Sequence, residues 1–158
     1  MAYPRFTRAR DFKFIKKTAG NYTINNISWT NLDTGLDLVL RAEIGDVIEA
    51  AVSCWWAQES TDGYLDMATL VSGSPVHYFG GTGAGTNAGV SGWGNNLTAG
   101  GPASGPVMYT LVSGDISADT VTLRLLFRTS VATNKTLKAS ADFPFFVQAK
   151  NLGPVDPH

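Results

Sequence analysis

Beyond residue 20, apolar and polar side chains alternate with a period of two through most of the chain. In Thr120–Arg128 (TVTLRLLFR), Val121, Leu123, Leu125 and Phe127 fall on one face. Thr120, Thr122, Arg124 and Arg128 fall on the other, with Leu126 the exception. Successive side chains of a strand point to opposite faces, so this pattern predicts an antiparallel strand with one face in a core. Asp46–Trp56 (DVIEAAVSCWW) places Ile48, Ala50, Val52, Cys54 and Trp56 together, against Glu49 and Ser53. Leu36, Leu38 and Leu40 alternate with Asp37, Val39 and Arg41. Shorter runs of the same kind are 22–29, 64–71, 75–79, 107–112 and 144–150.

Turn dipeptides separate these runs: Gly45-Asp46, Asp62-Gly63, Gly73-Ser74 and Gly114-Asp115. The body has no apolar stripe of helical period. A helix is predicted only around Arg10–Lys17, where Phe12 and Ile15 are three apart. Many short strands between turns predict an all-β fold, an antiparallel two-sheet sandwich of jelly-roll type with one long Gly-rich loop. The expected organisation is a basic N-terminal arm over 1–20, a sandwich domain over 21–154 and a short tail over 155–158. At 158 residues the chain is long enough for one core without disulfides, and its single cysteine, Cys54, excludes an internal one.

Charge is distributed unevenly. No Asp, Glu, Lys or Arg occurs from Met67 to Gly114. Within that stretch, Gly80–Gly105 carries 10 of the 17 glycines and one large aromatic residue, Trp93. A loop this long is usually functional or disordered, and the tryptophan points to a segment that packs on a surface, its own or a partner's. Residues 1–17 hold Arg5, Arg8, Arg10, Lys13, Lys16 and Lys17 against Asp11, a net charge of +5, and the remainder carries −6. Such an arm either frays into solvent or docks on the acidic body of another copy. Phe6, Phe12, Phe14 and Ile15 favour docking.

The inventory for chemistry is thin. His77 and His158 are the only histidines, and no zinc spacing or H-E-x-x-H occurs. His77 reads as a packed or hydrogen-bonded residue, and Cys54 as a buried thiol. The string Gly83-Ala-Gly85-Thr-Asn-Ala88 mimics a phosphate loop, but no helix-forming sequence or nearby lysine follows it. The carboxylate pairs Asp62/Asp66 and Asp115/Asp119 could serve a glycosidase, although Asp62 and Asp115 sit in turns, where Asp caps its own backbone. No enzyme activity, cofactor or metal is expected. Nucleic acid is not an expected partner, because no basic stripe continues into the body. No apolar run approaches the roughly 18 residues of a membrane span. The start lacks a secretory signal pattern, which gives an expectation of synthesis in a cytoplasm. Trp55 and Trp56 are adjacent, so one faces out if the other is buried. Trp93, with Tyr78 near the base of its loop, either presents a stacking surface or folds back to cap the sandwich.

The segments DFKFIKKTAGNYTINNISW, GDVIEAAVSCWW, GYLDMATLVSGSPVHYF, TVTLRLLFR and KNLGP together resemble small virion proteins of tailed phages that infect actinobacteria. The likeness covers nearly the whole chain as a pattern of strands and turns, with no catalytic motif. It implies a β-sandwich on the particle surface, as head decoration or minor tail protein. It also implies self-association, for which a trimer is the expected form, and contact with other virion proteins such as the major capsid protein. The alternative is a tail-associated receptor-binding protein or a carbohydrate-binding module, with a host-surface glycan as ligand. The binding residues expected on either view are Arg5, Arg8, Arg10, Lys13, Lys16, Lys17, Trp55, Trp56, Tyr78 and Trp93.

Overall fold

A computed structural model of the chain describes residues 11–80 and 101–154. They form two six-stranded antiparallel sheets packed face to face. The strands are β1 (Asp11–Lys17), β2 (Tyr22–Ile24), β3 (Thr30–Asn31), β4 (Leu38–Arg41), β5 (Asp46–Trp56) and β6 (Gly63–Val71). They continue as β7 (Ser74–Tyr78), β8 (Gly101–Thr110), β9 (Ile116–Ser117), β10 (Thr120–Thr129), β11 (Lys135–Lys138) and β12 (Phe145–Pro154).

The long strands pair in a nested series. β1 lies on β12, β4 on β10, β5 on β8, and β6 on β7. Sheet A therefore runs β1-β12-β5-β8, and sheet B runs β4-β10-β6-β7. This is one long hairpin rolled over itself, the jelly-roll winding expected from the alternation. β2 and β11 extend sheet A beside the end of β5, while β3 and β9 add to β10.

The registers place all the long connections (18–37, 57–62 and 130–144, with Gly80 leaving and Gly101 re-entering) toward one end of the sandwich. The connections 42–45, 72–73 and 111–119 lie at the other end. The core is built as the alternation dictates. Ile48, Ala50, Val52, Cys54 and Trp56 of β5 face Val121, Leu123, Leu125 and Phe127 of β10, all buried. Trp56 packs on Phe127 with ring centroids 6.0 Å apart. It also closes against Gly63, where an added Cβ would lie 2.6 Å from Trp56 Cζ3. Gly63→Ala is expected to overpack this corner and lower stability by roughly 1–3 kcal/mol in urea denaturation.

The predicted helix over Arg10–Lys17 is corrected: residues 11–17 are strand β1, paired along their full length with β12. Phe12 and Phe14 face outward on sheet A, while Ile15 packs against the core. The three-residue spacing of Phe12 and Ile15 therefore never defined one face. The backbone of β12 needs a partner on its outer edge, and β1 supplies it. Asp11 pins the strand's start by accepting from Phe12 N (2.8 Å) and Arg41 N (3.0 Å). Residues 11–17 are thus strand residues of sheet A. Residues 1–10 and 155–158 lie outside the described residues.

Two hairpin turns show opposite chemistry. Between β6 and β7, Ser72 (φ 51°) and Gly73 (φ 80°) form a two-residue turn with a glycine where positive φ is needed. Between β9 and β10 positive φ is imposed on Ala118 (φ 49°), whose Cβ disfavours it, and on Asp119 (φ 58°), which tolerates it less well than glycine. Replacing Ala118-Asp119 by Asn-Gly is expected to raise the urea midpoint, with a gain of about 1 kcal/mol.

Candidate functional site

The residues singled out for binding do not converge. Trp56 is wholly buried in the core and is removed from any binding surface. Trp55 faces outward from sheet A and packs on Phe143, with centroids 5.0 Å apart. Lys138 Nζ lies 4.5 Å from the Phe143 ring. Tyr78 lies on the outer side of sheet B, opposite Ala68, and packs on Trp29 at 6.3 Å. Beside it, the Arg128 guanidinium stacks between Trp29 and Tyr64 (5.4 and 5.0 Å).

The basic residues diverge too. Lys17 donates to Tyr22 Oη (2.6 Å) and Asp33 Oδ2 (3.1 Å), so it is tied to its own fold. The Tyr22 hydroxyl holds the Lys17 ammonium pKa above its ordinary value, with Asp33 adding to it against the opposing effect of burial. Lys13 lies 3.9 Å from Asp11. Lys16 is folded over the Phe146 ring at 5.6 Å. Arg5, Arg8, Arg10 and Trp93 lie outside the described residues.

The groups with catalytic potential are committed to structure. Asp115 is fully buried between β8 and β9. It accepts from Thr69 Oγ1 (2.5 Å), Val112 N (2.8 Å), Tyr109 Oη (3.1 Å) and His77 Nδ1 (2.7 Å). Burial pushes its carboxyl up, but the Thr69 hydroxyl, the Val112 N–H and the His77 ring together hold its pKa below the ordinary value. Burial and the Asp115 charge push the Tyr109 hydroxyl up to about 12. An ionised carboxylate only accepts, so His77 carries its proton on Nδ1.

A nucleophilic triad places the hydroxyl on the far ring nitrogen. Here Thr69 and His77 share one oxygen, Asp115 Oδ1, so Thr69 is not activated. Asp66 is also buried, accepting from Met67 N (2.8 Å) and Gly80 N (2.9 Å). It anchors the point where the chain enters the Gly-rich segment. Lys135 is wholly buried beside Trp56. Burial lowers its pKa, opposed by Glu59 and Asp62. Cys54 is a buried thiol. No group of three or more His, Cys, Asp or Glu side chains among the described residues is placed to hold a metal.

Two hollows remain. The larger, about 700 Å³, lies beside the Ala118-Asp119 turn and is lined by Arg41, Ala42, Glu43, Ala118, Asp119 and Thr120. It has no aromatic wall. The second, about 460 Å³, is a trough across the outer face of sheet A. Cross-strand register builds it: Phe14, Gln148, Ala51 and Pro106 form one row across β1, β12, β5 and β8. Phe146 and Ser53 form part of the next. Phe14 and Phe146 stack with centroids 5.5 Å apart at 30°. Glu49, at the floor, is paired with Lys150 at 3.0 Å.

Sequence reading missed this site because one of its two wall aromatics, Phe14, comes from β1, read as an arm. The signal was present in Phe12-Lys-Phe14, whose aromatic residues share one face of a strand. Among the described residues no helix is long and apolar enough to cross a membrane. No protein-family model matches the chain, and no curated protein is significantly similar to it.

Proposed function

We propose that the protein is a non-enzymatic virion structural protein that acts through contacts on the particle surface, as capsid decoration. The observation that carries this reading is the chemistry of the sandwich ends. Ile44 and Val112 are 64% and 44% exposed at the end with short connections, where Gly45 N bonds to Leu111 O at 2.8 Å. Ile27 and Val131 are 55% and 50% exposed at the other end, where Thr129 N bonds to Asn26 O at 2.7 Å. Paired aliphatic side chains on otherwise polar turns suit protein–protein contact. The acids Asp66 and Asp115 and the base His77 are occupied by structural hydrogen bonds, which favours a contact role over catalysis.

On this reading the chain self-associates as a trimer and binds other virion proteins, the major capsid protein first among them. Residues 1–10, with Arg5, Arg8 and Arg10, reach a neighbour. Sedimentation and particle co-sedimentation test it. The intact protein is expected to be oligomeric and to attach to particles. Ile44→Asp with Val112→Asp, or removal of residues 1–10, is expected to weaken attachment. Undiminished attachment by both altered proteins would refute the reading.

A further inference from the structure

The trough on sheet A has a composition that the contact role does not use. Its wall is a stacked ring pair, Phe14 and Phe146, and its opposite rim is Pro106. Its floor carries hydrogen-bonding groups, the Gln148 carboxamide and the Ser53 hydroxyl, that bond to no other described residue. Its one acid, Glu49, is neutralised by Lys150 at 3.0 Å. The cation at the rim, Lys16, is held over Phe146.

We propose that this trough is a binding site for a neutral oligosaccharide. A pyranose ring has an apolar C–H face and a rim of hydroxyls. The Phe14–Phe146 wall offers aromatic area to the first, and Gln148 and Ser53 offer donors and acceptors to the second. The floor has no uncompensated charge that would call for an ionic ligand. The volume, about 460 Å³, falls within the roughly 300–1,000 Å³ of small-molecule sites. Trp55 and Phe143 stand on the same face two residues beyond Ser53, roughly 7 Å along β5. A chain longer than the trough would meet this second aromatic pair. The site is independent of particle attachment, which is proposed to use the sandwich ends and residues 1–10.

The test presents the full-length protein to immobilised neutral gluco-, manno- and galacto-configured oligosaccharides, with sulfated and uronic-acid oligosaccharides alongside. The tightest neutral probe is then titrated against wild type, Phe14→Ala, Gln148→Ala and, as a control on the opposite sheet, Val39→Ala. Melting curves establish that each variant is folded. Binding to a neutral probe is expected. Phe14→Ala and Gln148→Ala should each weaken it roughly tenfold, the loss of one good ring or hydrogen-bond contact, while Val39→Ala should leave it unchanged. Any one of three results would overturn the proposal: no neutral probe bound, binding insensitive to Phe14→Ala and Gln148→Ala, or binding confined to anionic probes and abolished by salt. Loss of self-association in folded Phe14→Ala, without sugar binding by the wild type, would likewise overturn it and make the trough an interface between copies.

Discussion

Asp115→Ala is expected to lose about 3–5 kcal/mol of stability, because it strands several donors at once and each buried donor left unpaired costs about 1–3 kcal/mol. Against a total of about 5–15 kcal/mol for a domain, that is a large share of the whole stability. The carboxylate is the common acceptor for Thr69, His77, Tyr109 and the backbone of Val112. Alanine would leave the buried Thr69 hydroxyl, and the part-buried donors of Tyr109, Val112 and His77, without their acceptor. These partners come from β6, β7, β8 and the connection after β8, so one side chain ties both sheets together at this end.

The same network sets a pH dependence. Because the folded pKa of Asp115 is lowered, the group stabilises the fold fully above its unfolded value of about 3.9, and that contribution is lost as pH falls through the folded pKa. Urea denaturation between neutral and acid pH should show the acid loss in wild type and a smaller one in Asp115→Asn. A neutral-pH loss below about 1 kcal/mol for Asp115→Ala would show that the network is not needed.

Removal of residues 1–17 is expected to be as damaging, for a different reason. It deletes β1, strips the outer edge of β12 over the whole span Phe145–Asn151 and uncovers the core beside Ile15. With ladder hydrogen bonds each contributing about 1 kcal/mol, the loss is on the order of several kcal/mol. It also breaks the Lys17–Asp33 link to the segment before β4. Removal of residues 1–10 alone leaves every described strand intact and should leave the melting temperature unchanged. Equal melting of the two truncated proteins would contradict the place of β1 in the sheet. The contrast also separates folding from attachment, since only the shorter deletion tests a role in reaching neighbours.

The fold was legible where side chains alternate cleanly. Asp46–Trp56 was predicted to the residue, and the faces of 120–128 and 36–41 are those observed. It was illegible where long-range pairing overrides local pattern. β11 (KTLK) places a lysine, Lys135, on the inward face beside Leu137, so its alternation does not read as amphipathic. β8 begins at Gly101, inside the run read as loop, because pairing with β5 holds a sequence of low strand propensity. For β1, Phe12 and Lys13 are both exposed because the strand lies at an edge, which erases the period.

Of the binding residues, Trp55 and Lys16 fall on the outer face of sheet A and Trp56 does not. Sequence left the choice between the adjacent tryptophans open, and the core-facing register of β5 makes it. The His77–Asp115 pair is 38 residues apart in sequence, and only the sandwich brings it together.

The proposed virion role is tested most directly by imaging purified phage particles made with and without this protein. The account predicts that particles lacking it lose discrete surface density on the head while still adsorbing to cells. Particles unchanged in every surface feature would contradict it. So would particles that keep their head density and lose adsorption, the result expected of a tail-borne receptor protein.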